Sequence, residues 1–266
     1  MTAAAGDLLA FLDLEQIDRD IFRGSPGVWP DDRDTIFGGH VAAQALRAAA
    51  HTVPEGRLPH SLHGYYLRRG DRRAPVVYMV DRDRDGRSFS ARRVAAVQGG
   101  EVIWEMACSF DEPVDGPAYA PERRPGFASP DESPRYEHEW CPLVDIRVPP
   151  PPDGTPVKAG AIDRCWTRVV VPVPDHPVLQ ACLLAFTSDI PAGFGSLAIE
   201  GIPPHGPSID HSVWFHGRPK TDEWVLYDCT PMKITGHRGL YQGAAYDEAG
   251  NLLAMLAQEM LLRPVA

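Results

Sequence analysis

Between residues 113 and 156 the chain meets a proline every few positions, at Pro113, Pro117, Pro121, Pro125, Pro130, Pro134 and Pro142, then in the run Pro149 to Pro152 and at Pro156. Proline lacks the amide proton and fixes φ, so no helix or central strand survives that density, and the stretch reads as a long connection. It separates two parts of similar size in a chain of 266 residues. That length fits one large domain or two intimately packed units.

The two parts repeat one order of elements. A small-residue helix, Val41 to Ala50, precedes strand-like segments near 61–68, 75–82, 88–98 and 101–111. An apolar helix, Val178 to Phe186, precedes others near 208–216, 223–229, 238–247 and 251–263. Ser61 and Ser208 open corresponding strands 147 residues apart, and Gly100 and Gly250 stand 150 apart. Both last pairs read as hairpins, the first turning through Gly99-Gly100 and the second through Asp247 to Asn251. Helix first and antiparallel meander after, twice, predicts an α+β fold in which each sheet wraps a helix. The second helix is apolar around nearly its whole circumference, as a helix enclosed by a sheet must be, and Asp175 before Pro177 signals its start. The expected division is 1–112, a connection over 113–160, and 161–266.

The formal charge of −10 argues against a nucleic-acid partner, because phosphate backbones need a positive surface. Arginines nonetheless concentrate between Arg68 and Arg93, a pattern that suits either a phosphorylated small molecule or a salt-bridged strand face. Five scattered cysteines with no C-x-x-C pair indicate neither a disulfide framework nor a cysteine zinc site, and a reducing cytoplasm is expected. No apolar run reaches membrane-spanning length.

Three polar features fall where a core should be. Gln258 interrupts the apolar run Leu252 to Leu262, on the face of Leu256 and Met260; it is either a hydrogen-bonded core amide or a group that holds a water or polarises a carbonyl. Asp189 closes the second helix at the edge of the apolar interior, where desolvation would tune it, or else it stops the helix in solvent. The cluster Ser208 to His216 invites a Ser-His-Asp triad. Strict alternation puts Ser208, Asp210 and Ser212 on one face and His211 on the other, so Ser208 and His211 are not expected to meet. No G-x-S-x-G elbow and no H-E-x-x-H pair occurs, so neither a serine hydrolase nor a zinc site is expected. Gly38-Gly39-His40 opens the first helix and could offer backbone N–H groups to an anion or a carbonyl oxygen.

Phe37-Gly38-Gly39-His40, the stretch Asp85 to Val94, Ala185 to Asp189, Ile209 to His216 and Gln258-Glu259, in this order across both halves, resemble acyl-CoA thioesterase II. The resemblance covers about residues 8 to 264 and is loose only across the prolines. It implies a double hotdog, with a long helix central to each repeat, and hydrolysis of acyl-CoA to fatty acid and CoA without a cofactor or metal. It also implies a catalytic trio, which falls on Asp189, Ser208 and Gln258, activating one water for direct attack on the thioester. Ser208 stands where the family usually has threonine, His40 where it has glutamine, and Arg69 where it has proline. Substrate contacts are expected at Gly38, Gly39 and His40, with CoA phosphates meeting Arg87, Arg92 and Arg93, and the oxyanion facing a helix-start N–H or the Gln258 amide. Hotdog sheets commonly pair, so a homodimer or higher homo-oligomer is expected. An acyl-CoA-binding or sensing protein with little turnover is the alternative. A hydratase would need a helical Asp beside His40, which the sequence lacks.

Overall fold

The strands follow from two-residue alternation. In β5 (Phe89–Gln98) the buried positions are Ser90, Arg92, Val94 and Ala96, and the residues between them are more exposed. Its partner β6 (Glu101–Asp111) follows across the two-residue turn Gly99-Gly100, both at positive φ (61° and 84°) as a tight hairpin requires. A computed structural model describes residues 9–27, 33–117, 119–120, 126–138, 140–151, 162–195, 197, 201, 203 and 205–263.

The first half contains β1 (Glu15–Asp18), β2 (Ile21–Gly24), α1 (Gly38–Ala50), β3 (Leu58–Tyr66), β4 (Val76–Asp85), β5 and β6. The second contains β7 (Val144–Arg147), β8 (Arg164–Val169), α2 (Pro177–Thr187), β9 (Asp210–Phe215), β10 (Val225–Thr235), β11 (Arg238–Asp247) and β12 (Leu252–Leu261). All 12 strands join in one antiparallel sheet, ordered β1-β2-β4-β5-β6-β3-β9-β12-β11-β10-β8-β7. Read outward from the β3–β9 seam, the two halves have the same connectivity, and at that seam Gly64 pairs with its counterpart His211, 147 residues on. The duplication expected from the sequence is thus present in the topology.

Both helices lie inside this sheet, packed on one another and wrapped by one continuous apolar core. At 13 and 11 residues they are of average length rather than long. Each carries one buried glutamine that fixes neighbouring chain: Gln44 donates to the carbonyls of Phe11 and Ser25 and accepts from Tyr78, and Gln180 accepts from the Thr221 amide and hydroxyl. The N-cap of α2 is His176, whose ring accepts from the Leu179 amide, one residue beyond the expected Asp175.

The proline-rich stretch does hold a strand, β7, at the sheet edge, where one partner suffices and prolines on either side cost little. Upstream of it, Phe127 packs on a second apolar cluster of Trp166, Trp224, Leu226, Ala244 and Tyr246, and the Ala128 carbonyl accepts the Trp166 indole N–H at 3.0 Å. Phe127 and Ala128 therefore lie against the outer face of the second half.

Candidate active site

The N-terminus of α1 abuts the C-terminus of α2, and the approach demands glycine. A Cβ on Gly39 would stand 2.4 Å from the Phe186 carbonyl oxygen, and one on Gly38 would stand 2.7 Å from Asp189 Oδ2. With both absent, the Gly39 N–H donates to Asp189 Oδ2 at 2.7 Å, and the carboxylate sits at the positive end of α1. Its other oxygen, Oδ1, accepts Gln258 Nε2 at 2.9 Å and lies 3.5 Å from Ser208 Oγ, while Gln258 Nε2 also donates to Ser208 Oγ. One half of the chain supplies the helix terminus and the other supplies the three side chains.

Burial dominates the electrostatics here. Desolvation raises the Asp189 pKa from 3.8 to about 6, against the opposing effects of Gln258, the Gly39 amide and Ser208. A carboxylate so tuned is mostly ionised at pH 7 yet basic enough to take a proton. It borders a cleft of about 790 Å³, lined also by Gly38, Tyr66, Ser208 and the apolar Ile36, Phe37, Val41, Trp104, Ile190 and Met260. Gln258 does not line the cleft; at 1 % exposure it stands one layer behind Asp189 and Ser208.

Ser208 reaches this site because alternation breaks just before β9. The ladder pairs Ala257 with Ser212, whereas Ser208 pairs with Met260, one residue out of that register, and Asp210 turns its carboxylate to the Glu259 amide at 2.7 Å. Such a shift changes the face of every residue beyond it, so Ser208 and His211 both point inward, contrary to the alternation argument. They still form no triad, since His211 Nε2 is engaged by Ser188 Oγ at 2.8 Å.

A model of the acyl-CoA thioesterase N-terminal domain matches residues 25–111, and a model of the C-terminal domain matches residues 113–262. The chain belongs to the acyl-CoA thioesterase II family. Acyl-CoA thioesterase 2 of Haemophilus influenzae is 31 % identical, with 99 % of each chain covered. Human acyl-coenzyme A thioesterase 8 is 32 % identical over 95 % of this chain and 87 % of its own. Among solved structures, an acyl-CoA thioesterase II of Mycobacterium marinum superposes with TM-score 0.76 at 37 % identity, covering 97 % of this chain and 98 % of that one. A protein from Alicyclobacillus acidocaldarius described as having a hot dog fold gives TM-score 0.76 at 20 % identity, covering 100 % of each chain, which shows the fold.

The other residues singled out in the sequence of this family member fall differently. Gly38 lines the cleft and Gly39 holds Asp189, but His40 is fully buried, stacked on Phe11 with Nε2 3.0 Å from the Ser25 carbonyl, and does not line the cleft. Desolvation lowers its pKa to about 4. Arg87, Arg92 and Arg93 are not in the cleft either. Arg92 is an inward residue of β5, 1 % exposed, bonded to Thr52 and Asp85, while Arg93 points outward and pairs with Asp83 and Asp81. The cations that border the cleft are the exposed Arg33, Arg68 and Arg69; Arg68 pairs with Glu101, and Arg33 stacks over Trp140.

Tyr66 is the residue that sequence reasoning missed. Its hydroxyl is buried without a hydrogen-bond partner, and the same Cβ on Gly38 that would touch Asp189 would stand 2.8 Å from it. Of the oxyanion donors expected from the sequence, a helix-start N–H or the Gln258 amide, the Gly39 N–H is already committed to Asp189 and the Gln258 NH₂ to Asp189 and Ser208. Nothing in β3's pattern marks Tyr66, whose phenol comes near Asp189 beside Gly38 only once the two halves are folded together. Among the described residues no three His, Cys, Asp or Glu side chains converge as a metal site requires, and no helix is long and apolar enough to cross a membrane.

Proposed function

We propose that this chain hydrolyses acyl-CoA to a fatty acid and CoA, in a double hotdog formed by residues 1–112 and 161–266 with the connection 113–160 between them. The observation that carries the reading is the desolvated Asp189 carboxylate, held by Gln258, Ser208 and the start of α1 at the wall of an apolar cleft. A water between Asp189 and Ser208 loses a proton to Asp189 as its oxygen bonds the thioester carbon, and the C=O π pair moves onto the carbonyl oxygen. Gln258 keeps both side chains in place from behind. The oxyanion faces the Tyr66 hydroxyl, a donor that gives up no other bond to serve it. Burial and the Asp189 charge raise the Tyr66 pKa well above its ordinary value, so the phenol stays protonated. Collapse breaks the C–S bond, the thiolate leaves with its electron pair, and the proton on Asp189 passes to the departing groups or solvent. A thiolate is a good enough leaving group that no strong general acid is required.

The exposed Arg69, with Arg68 and Arg33, places positive charge beside the cleft for the CoA phosphates. Pairing of two chains belongs to the same reading, and the exposed Tyr65 and Trp214 at the β3–β9 seam supply apolar surface for it. The test is free-thiol release from acyl-CoAs of short to long chain, comparing wild type with Asp189→Asn and Gln258→Ala. Release by wild type and its loss in both variants supports the assignment. Binding of acyl-CoA without thiol release would make the chain a binding protein instead.

A further inference from the structure

We propose that His211 is a positioning residue for the Gln258 amide: its Nδ1–H faces the amide oxygen and so fixes which end of the amide meets Asp189. This rests on the hydrolytic reading of the site. A side-chain amide can turn by 180°, exchanging its donor and acceptor ends. Turned the wrong way, Gln258 would set its oxygen against the Asp189 carboxylate and the Ser208 hydroxyl oxygen, removing one bond from the proton acceptor and one from Ser208. Some neighbour must select the working orientation.

The strand register supplies that neighbour. β9 and β12 pair Leu256 with Val213 and Ala257 with Ser212, so the next inward residues along the ladder are Gln258 and His211, exposed by only 1 % and 0 %. Gln258 Oε1 and His211 Nδ1 are each buried, and no other hydrogen-bond partner serves either atom. A buried acceptor and a buried ring nitrogen left over side by side satisfy one another if the ring nitrogen bears the proton. The far ring nitrogen, Nε2, then accepts from Ser188 Oγ at 2.8 Å, taking the proton that this hydroxyl could otherwise give to the Ala185 carbonyl at 3.0 Å. Ser188 precedes Asp189 in the chain, so the set Ser188, His211, Gln258, Asp189 closes a ring around the proton acceptor.

The geometry does not need a charged imidazole. Desolvation holds His211 near a pKa of 4, while the Gln258 amide acts against that lowering, as a carbonyl facing the ring does. With one proton on the ring, the choice of tautomer decides whether Gln258 is locked. Other titratable or charged side chains of the site include Asp189, Asp210, Tyr66 and Tyr241, with His205, Arg33, Arg68 and Arg69 along the cleft, and Asp189 is the one tuned to about 6.

Three substitutions separate positioning from packing. In His211→Asn the amide NH₂ falls near the place of Nδ1–H; His211→Gln carries its NH₂ to the place of Nε2, and His211→Leu keeps volume without any donor. The expected result is kcat within a few-fold of wild type for Asn. For Gln and Leu we expect kcat down by about 10- to 100-fold with KM little changed, as small misplacements of catalytic groups cost. The acid limb of kcat/KM should move up in pH for Gln and Leu, because a freed Gln258 no longer favours the ionised Asp189. His211→Leu added to Gln258→Ala should cost nothing further. Equal losses in Asn, Gln and Leu with an unmoved acid limb, or no loss in any, would overturn the proposal. The ring ¹⁵N spectrum of His211 reads the tautomer without turnover: Nδ1–H is expected, and Nε2–H overturns the proposal. An inactive wild type showing Nδ1–H would sink the hydrolase reading alone.

Discussion

Replacing Asp189 by Asn removes the one carboxylate that burial has tuned, and its effect on stability can be worked out before any activity is measured. Asp189 titrates near 3.8 unfolded and at about 6 folded, a difference worth about 3 kcal/mol. Because the folded pKa is the higher one, the native state binds the extra proton between those values. Stability from this group is therefore present at pH 4 and is lost as pH rises through 6. Asn cannot ionise, so the free energy of wild type minus that of Asp189→Asn should fall by about 2 kcal/mol between pH 4 and pH 7.5, most of it between pH 4 and 6. The same ionisation should give kcat/KM of wild type an acid limb near pH 6, and kcat of the variant should drop by about 10²- to 10⁴-fold, the usual worth of a general base. Urea unfolding of both proteins across this range, with thiol-release kinetics alongside, reads both effects. A stability difference that stays flat with pH, together with an acid limb near 4, would show that Asp189 is an ordinary solvated carboxylate and remove the physical basis of the mechanism.

Tyr66→Phe should lower kcat by about 10²-fold with melting temperature unchanged, since the hydroxyl has no partner to lose on folding; unchanged kcat would return the oxyanion to the backbone of α1. Arg69→Ala should raise KM for acyl-CoA by about 10-fold, and much less for an acyl-pantetheine that lacks the nucleotide phosphates. A similar rise for both would place Arg69 away from the phosphates. Arg92→Met should destabilise by about 2–3 kcal/mol, since Asp85, Thr52 and the Arg84 carbonyl lose their donor. Its KM should not change, and a raised KM would restore the β5 arginines as substrate contacts.

The parts of the fold that could be read from sequence are those set by local pattern. The apolar circumference of α2, the two-glycine turn between β5 and β6 and the repeat spacing are local facts, and all three appear in the structure. The strands β1, β2, β7 and β8 were not legible: each has only four to six residues, and each is defined by a partner elsewhere in the chain. β1 is exposed throughout, so it carries no alternation at all. The site divides in the same way. Asp189 and Gln258 stood out as polar residues in apolar runs, whereas the inward turn of Ser208 depends on a one-residue slip in pairing that no composition announces. The Arg92 placement is legible, since it shares a face with Val94 and Ala96, but the clustering of arginines points instead to a charged surface. Tyr66 and His211 gained meaning only once β3, β9 and β12 were laid side by side.

If water, not an enzyme carboxylate, attacks the thioester, the oxygen count of a single turnover will show it. With enzyme in excess over acyl-CoA in H₂¹⁸O, direct attack puts one ¹⁸O into the fatty acid in the first turnover and none into Asp189. An unlabelled first-turnover fatty acid with ¹⁸O in the Asp189 carboxylate would mean an acyl-enzyme anhydride and would rule out direct attack by water.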